Sequence, residues 1–225
     1  MKLKWYGHAS FLITADSGLK IVTDPYTPET SGYMPVQDKA DMVIISSDND
    51  RFHCRADLIP GEPTVINALE VAQNGGRRTE KGIEVTAIAA MEALDHKYHD
   101  PDQNGMYRLV VDGVSIGHMG DIGNALSEEQ MAFFKDIDVL LALTGGHPTI
   151  DLDDLKQVID YAKPKLVVPM HFMTLRYKPR NCFWIEKFLD YFPASEVDFA
   201  CDYETRITPD VLPGQTRVLV LTHAN

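Results

Sequence analysis

An α/β protein of two mixed β-sheets with helices outside is the fold class this sequence predicts, on three observations. The first half is a run of short apolar segments separated by turn residues, the pattern of antiparallel strands. From Asp138 onward, strand-like segments alternate with segments of helical periodicity. Several apolar runs also end in loops that open on metal-ligand residue types, as a rigid scaffold presenting a site on its rim would do.

Taken in order, Leu3 to Tyr6, Ser10 to Thr14 and Lys20 to Thr23 read as short strands, the last two joined by a turn at Asp16-Ser17-Gly18. Pro28 to Lys39, rich in Pro, Gly and Ser/Thr, reads as a surface loop. Met42 to Ile45, Thr64 to Asn67, Ile83 to Ala89, Met106 to Val111 and Val114 to Gly117 continue the strand pattern, with Asp112-Gly113 as a hairpin signal between the last two. Ser127 opens a helix running to about Lys135, with Gln130 in the capping-box position. Asp138 to Leu143 is a strand. Asp151 to Ala162 carries Leu152, Leu155, Val158, Ile159 and Ala162 at helical spacing, and Lys163-Pro164 ends it. Leu166 to Pro169 is a strand, Phe183 to Tyr191 a helix and Arg217 to Leu221 a closing strand. Nothing in the composition marks a linker or a repeat, so residues 1–225 read as one domain.

Composition narrows the function. A formal net charge of −12 over 225 residues argues against nucleic acid or an anionic membrane as the main partner. No apolar run reaches the length of a membrane span, and the first residues enter a strand without a signal-peptide core, so a cytoplasmic protein is expected. Three widely spaced cysteines suggest neither a disulfide framework nor a cysteine zinc site. Ser46-Ser47 lacks the glycine elbow of a serine hydrolase, and no phosphate-binding glycine loop is present. Cys54 beside His53 is not a useful thiol–imidazole pair, because neighbouring side chains on a strand diverge.

The chemistry concentrates at four strand ends. The runs at 42–45, 86–89, 114–117 and 166–169 lead to Asp48, Asp50 and His53; to His96 and His99; to His118, Gly120 and Asp121; and to His171. Read alone, Asp48 and Asp50 suit a turn as well as a ligand role, and Asp121 suits a turn cap.

The ordered set Trp5-Tyr6-Gly7-His8-Ala9-Ser10, Asp24-Pro25-Tyr26, His99-Asp100, Gly120-Asp121-Ile122-Gly123, Thr144-Gly145-Gly146, Thr149-Ile150-Asp151 and Pro169-Met170-His171-Phe172 resembles the metallo-β-lactamase superfamily. It is most similar to the branch of the ascorbate-6-phosphate lactonase-like hydrolases. The resemblance implies an αββα sandwich with one or two metals where the loops converge. It departs at the first motif of that family, His-x-His-x-Asp-His, where this chain has Asp48-Asn49-Asp50-Arg51-Phe52-His53. Alignment on the last histidine puts Asp48 and Asp50 in ligand positions and keeps His53. A second register puts Ser47, Asn49 and Phe52 there, leaves no ligand from this motif, and is supported by the strand length from Asp41.

In the first register the resemblance implies Asp48, Asp50 and His99 on one metal, His53 and His171 on a second, and Asp121 bridging. Phe52 cannot coordinate, so one occupied position is as reasonable as two. Carboxylate ligands shift preference toward manganese or iron, and the mixed set remains compatible with zinc. The implied activity is hydrolysis of a small ester, lactone or phosphoester by metal-activated water. Asp50 or Asp48 would orient the water in place of the missing aspartate, Asp121 would take part at the metal, and His8 would stand beside the site as a polar orienter rather than a ligand. Arg51, His147 and Arg176 are candidates for contacting a small, anionic substrate. A homo-oligomer is compatible with the sequence. Two competing expectations are a catalytically weakened binding or regulatory protein on the same fold, and a metal-dependent redox protein.

Overall fold

The computed structural model describes residues 1–49, 51–92 and 103–224. The chain forms, in order, β1 (Lys2–Gly7), β2 (Ser10–Thr14), β3 (Lys20–Thr23), α1 (Pro28–Ser31), β4 (Met42–Ile45), β5 (Thr64–Asn67), α2 (Ala68–Gln73), β6 (Arg77–Glu80), β7 (Ile83–Ala90), β8 (Asn104–Val111) and β9 (Val114–His118). There follow α3 (Glu128–Phe133), β10 (Val139–Leu143), α4 (Leu152–Ala162), β11 (Leu166–Met170), α5 (Ile185–Leu189), β12 (Val197–Phe199), β13 (Glu204–Arg206) and β14 (Arg217–Val220), with short 3₁₀ turns at Ala56–Leu58 and Ala194–Glu196.

Two mixed sheets result, ordered β13-β1-β2-β3-β4-β5 and β12-β14-β11-β10-β9-β8-β7-β6. Within the first, β1 to β3 are antiparallel and β3 to β5 parallel. In the second, β6 to β9 are antiparallel, whereas β9, β10, β11 and β14 run parallel. The expected two-sheet sandwich is the observed fold.

Side-chain alternation explains how the first sheet is packed. Leu3 and Trp5, Phe11 and Ile13, Ile21, and Met42 and Ile44 join one core with Val85, Met106, Ile116 and Leu141 of the second sheet. Their neighbours Tyr6, Leu12, Val22, Val43 and Ile45 face the opposite way and pack on Tyr26, Tyr33, Val36, Ile59, Met173 and Tyr177. The outer face of the first sheet is therefore covered largely by loops. This corrects the reading of 28–39 as plain surface loop: it holds the one-turn α1, and Tyr33 and Val36 are buried. On the second sheet, α4 buries Leu152, Leu155, Val158, Ile159 and Ala162, the stripe anticipated from its periodicity.

Local signals behave as expected at several ends. Ser127 and Gln130 form the reciprocal capping box that opens α3. Asp112 and Gly113 both have positive φ, as a two-residue hairpin of the I′ type requires. The expected helix at 183–191 shrinks to α5, because Phe183 is held in extended pairing with Met173 and Gly145. Strands β6, β12 and β13 and the short α2 were not anticipated.

Candidate metal centre

Three histidines from three separate turns meet at one end of the sandwich. His8 sits in the turn between β1 and β2, His53 lies beyond β4, and His171 directly follows β11. Each offers one ring nitrogen within 4.8 Å of the others. The ring centroids of His8 and His171 are 3.9 Å apart, those of His8 and His53 4.7 Å, and the rings of His53 and His171 are nearly parallel. All three residues are buried.

Backbone geometry holds this arrangement. His8, Asp24 and His171 all have positive φ (53°, 35° and 55°), which side chains larger than glycine rarely adopt. Such conformations persist where the surroundings over-determine them. Here the His171 amide donates to the His8 carbonyl, which also accepts from Trp5 Nε1 (both 3.0 Å). Gly7 permits the entry: its φ is +123°, and a Cβ there would lie 2.5 Å from the Tyr33 ring. Gly145 is required beside the exit of β11, since a Cβ would come 2.0 Å from the His171 carbonyl oxygen.

Asp121 supplies the carboxylate. Its Oδ2 lies 3.1 Å from His53 Nε2 and its Oδ1 3.5 Å from His171 Nε2. The loop that carries it is pinned after β9: Gly120 N donates to His118 Nδ1 (2.9 Å), and Asp121 N donates to Asn104 Oδ1 (2.8 Å). Burial would raise the Asp121 carboxyl, but positive charge on its His53 and His171 side outweighs burial and lowers it. Burial pushes His8 well below the ordinary imidazole value, with the neighbouring rings of His171 and His53 adding to the effect, and it also lowers His171. Neutral rings carry the lone pairs a metal needs.

Asp24 stands behind His53. Its Oδ1 accepts the Ser46 amide (2.7 Å) and its Oδ2 faces His53 Nδ1 at 3.4 Å. A His53 ring that donates from Nδ1 to Asp24 turns its Nε2 lone pair toward Asp121. Two electron-rich atoms at 3.1 Å require a positive charge at that point, either a proton or a cation. This is the carboxylate–histidine support familiar behind metal ligands. His118, 3.8 Å from the same carboxylate, is no ion-pair partner: its Nδ1 accepts from Gly120, so Nε2 carries the proton and donates to the Ala9 carbonyl (2.9 Å). It stacks on Tyr107 and lies behind Asp24 as a neutral structural ring.

The structure thus brings together His8, His53, Asp121 and His171. Asp48 is exposed and outside the group, as are Arg51, His147 and Arg176. Asp50 and His99 lie outside the described residues, as does His96. Beyond β4 the chain stays buried through Ser46 and Ser47 and then turns outward in a bend, which leaves Asp48 and Asn49 exposed. Ser47 Oγ bonds Asn49 Oδ1 (3.0 Å), and Asn49 Nδ2 donates to the buried Glu92 (2.5 Å). Sequence reasoning gave no role to Asp24 or Asn104. Asp24 was open to the rule applied elsewhere, a carboxylate at a strand end before proline; Asn104 begins β8 and carried no signal. A hollow of about 650 Å³ between α4 and α5, lined by Asp151, Asp153, Asp154, Lys187 and Tyr191, includes none of the clustered histidines.

Residues 2–171 match the family described as Beta-lactamase superfamily domain, and the chain belongs to that superfamily. Among curated relatives, a UPF0173 protein of Pyrococcus abyssi is 27% identical over 183 residues, spanning 77% of this chain and 84% of its own. The UPF0173 metal-dependent hydrolase of Thermococcus kodakarensis is 26% identical over 196 residues, spanning 77% and 85%. Among solved structures, a protein of Thermotoga maritima provisionally assigned as a Zn-dependent hydrolase of the metallo-β-lactamase superfamily superposes with a TM-score of 0.75 at 27% identity, covering 98% of this chain and 97% of its own.

Proposed function

We propose that this protein is a metal-dependent hydrolase of the β-lactamase superfamily that cleaves a small ester, lactone or phosphoester. The observation that carries the reading is the convergence of His53, His171 and Asp121, with His8 against them, in one buried cluster at the sheet edge. The residues fit a divalent cation on their own chemistry: buried imidazoles, a carboxylate against two of them, and facing His53 and Asp121 atoms that need positive charge between them. When bound, the cation supplies Lewis acidity toward a carbonyl or phosphoryl oxygen and brings the pKa of water down to about 7. An imidazole-rich set suits zinc.

The chain's own residues then divide the remaining work. Asp24 fixes the His53 ring so that Nε2 faces the centre. Asp121, against both rings, is placed to orient water. Phe52 and Tyr177, each with its ring centroid 5.4 Å from that of His8, place aromatic surface against the cluster and help to exclude water from it. Exposed Arg51 and Arg176 remain the candidates for drawing in an anionic substrate, and His147 for contacting it. Metal-depleted protein should hydrolyse none of a panel of p-nitrophenyl esters, lactones and bis(p-nitrophenyl) phosphate, and one class should be restored by added zinc or manganese. Asp121→Asn and His171→Ala should each abolish the restored activity. Activity that survives depletion, or that is unchanged in both variants, overturns the assignment.

A further inference from the structure

We infer that His8 is itself a metal ligand, so that the turn between β1 and β2 supplies a ligand that the altered first motif lacks, and that the centre holds one ion. The inference rests on the metal-dependent reading above. His8 is buried, and among the described residues neither of its ring nitrogens has a hydrogen-bond partner. An orienting histidine acts through a hydrogen bond to the group it orients; His8 makes none. Burying two unmet polar atoms is costly, and the left-handed backbone at His8 adds to that cost. Ligation would satisfy one of the two nitrogens and offset part of that cost. The ring is also where a ligand must be, with a nitrogen within 4.8 Å of those of His53 and His171. The shared hydrogen bond from His171 N to His8 O locks the two turns in register before any ion arrives.

The limit to one ion comes from the first motif. Phe52 stacks on His8, so an apolar ring occupies space beside the cluster. Ser47 and Asn49 are bonded to each other, and Asn49 to Glu92, while Asp48 is exposed. Among the described residues, no second group of three His, Cys, Asp or Glu is placed to hold another ion. Three imidazoles and one carboxylate make a full zinc set, and zinc can expand to five-coordination to admit water.

The test is zinc titration calorimetry with metal-edge X-ray absorption on the full chain, its His8→Asn variant and its His99→Ala variant. Asparagine is chosen because it tolerates the left-handed backbone. We expect one zinc per chain and three imidazole scatterers in the wild type. His8→Asn should bind more than about 100-fold more weakly, beyond the roughly 10–100-fold lost with a group that only orients a ligand, and show two imidazoles. His99→Ala should keep the count at three. Unchanged affinity with three imidazoles in His8→Asn, two zinc ions per chain, or a count that falls in His99→Ala overturns the inference while leaving the hydrolase reading intact. If His8→Asn does not fold, the wild-type stoichiometry and the His99→Ala count still decide. Wild-type protein that binds no zinc, manganese or iron overturns both readings.

Discussion

Asp24 uses its two carboxylate oxygens differently, and that division makes it a test of how the centre is tuned. Oδ1 accepts the Ser46 amide, fixing the exit of β4, while Oδ2 faces His53 Nδ1. Asp24→Asn can keep the first contact through its amide oxygen and still tolerate the left-handed backbone, but its amide nitrogen then meets Nδ1. The His53 tautomer should invert, placing a proton on Nε2 where a lone pair is needed. We expect zinc affinity to fall about 10–100-fold with unchanged far-UV circular dichroism, read by competition with a chromophoric chelator. Equal affinity would mean that another group orients His53. At this scale the grouping of His53, Asp121 and His171, which the fold brings together, was legible in the sequence because each lies in a loop that an apolar run leads into. His8 was legible as a residue beside these, but its contact with both rings was not, because that depends on a turn that folds back to meet His171. Asp48 reads differently in the fold for a simple reason: after the buried Ser46 and Ser47 the chain bends outward, and the carboxylate goes with it to the surface.

Among the elements, the junction of β9 and β10 depends on one side chain. Asp138, just before β10, accepts from both the amide and the hydroxyl of Ser115 in β9, each at 2.8 Å, and pairs with Lys165 at 2.9 Å before β11. It therefore ties three adjacent parallel strands at their start. Burial would raise its carboxyl, but Lys165 and Ser115 together hold it below the ordinary value of 3.8. A carboxyl lowered in the folded state contributes stability above the unfolded pKa of about 3.9 and loses it as pH falls through the folded value. Asp138→Ala should thus cost about 1–3 kcal/mol at pH 7, measured by urea denaturation. The gap to wild type should narrow only below about pH 4; a gap that stayed constant down to pH 2 would show that the charge is not what matters. The elements that escaped the sequence share a physical cause. β6 is an edge strand reading Arg-Arg-Thr-Glu, and β12 and β13 are three residues each, so charge and brevity hide them. α2 is only six residues, and its one signal is Asn67, whose side chain caps the Leu69 and Glu70 amides.

For the molecule as a whole, one core cluster runs from Met1, Trp5 and Phe11 in the first sheet to Leu141, Val168 and Val218 in the second, and on to Leu155 and Ile159 of α4. The histidine cluster stands at the edge of this core and draws its residues from both sheets: His8 and His53 follow strands of the first, Asp121 and His171 strands of the second. An ion held there cross-links the two layers. If residues 1–225 are a single domain, as we propose, heat should unfold both sheets in one transition, with near- and far-UV dichroism superimposing. An ion that binds only the folded chain at 100 times its dissociation constant adds about 2.7 kcal/mol. For a chain of this size, stripping it should lower the midpoint by roughly 5–10 °C without splitting the transition. Two separated transitions after chelation would show instead that the layers are independent units held together by the metal. A midpoint indifferent to chelator would place the ion outside the seam between the sheets.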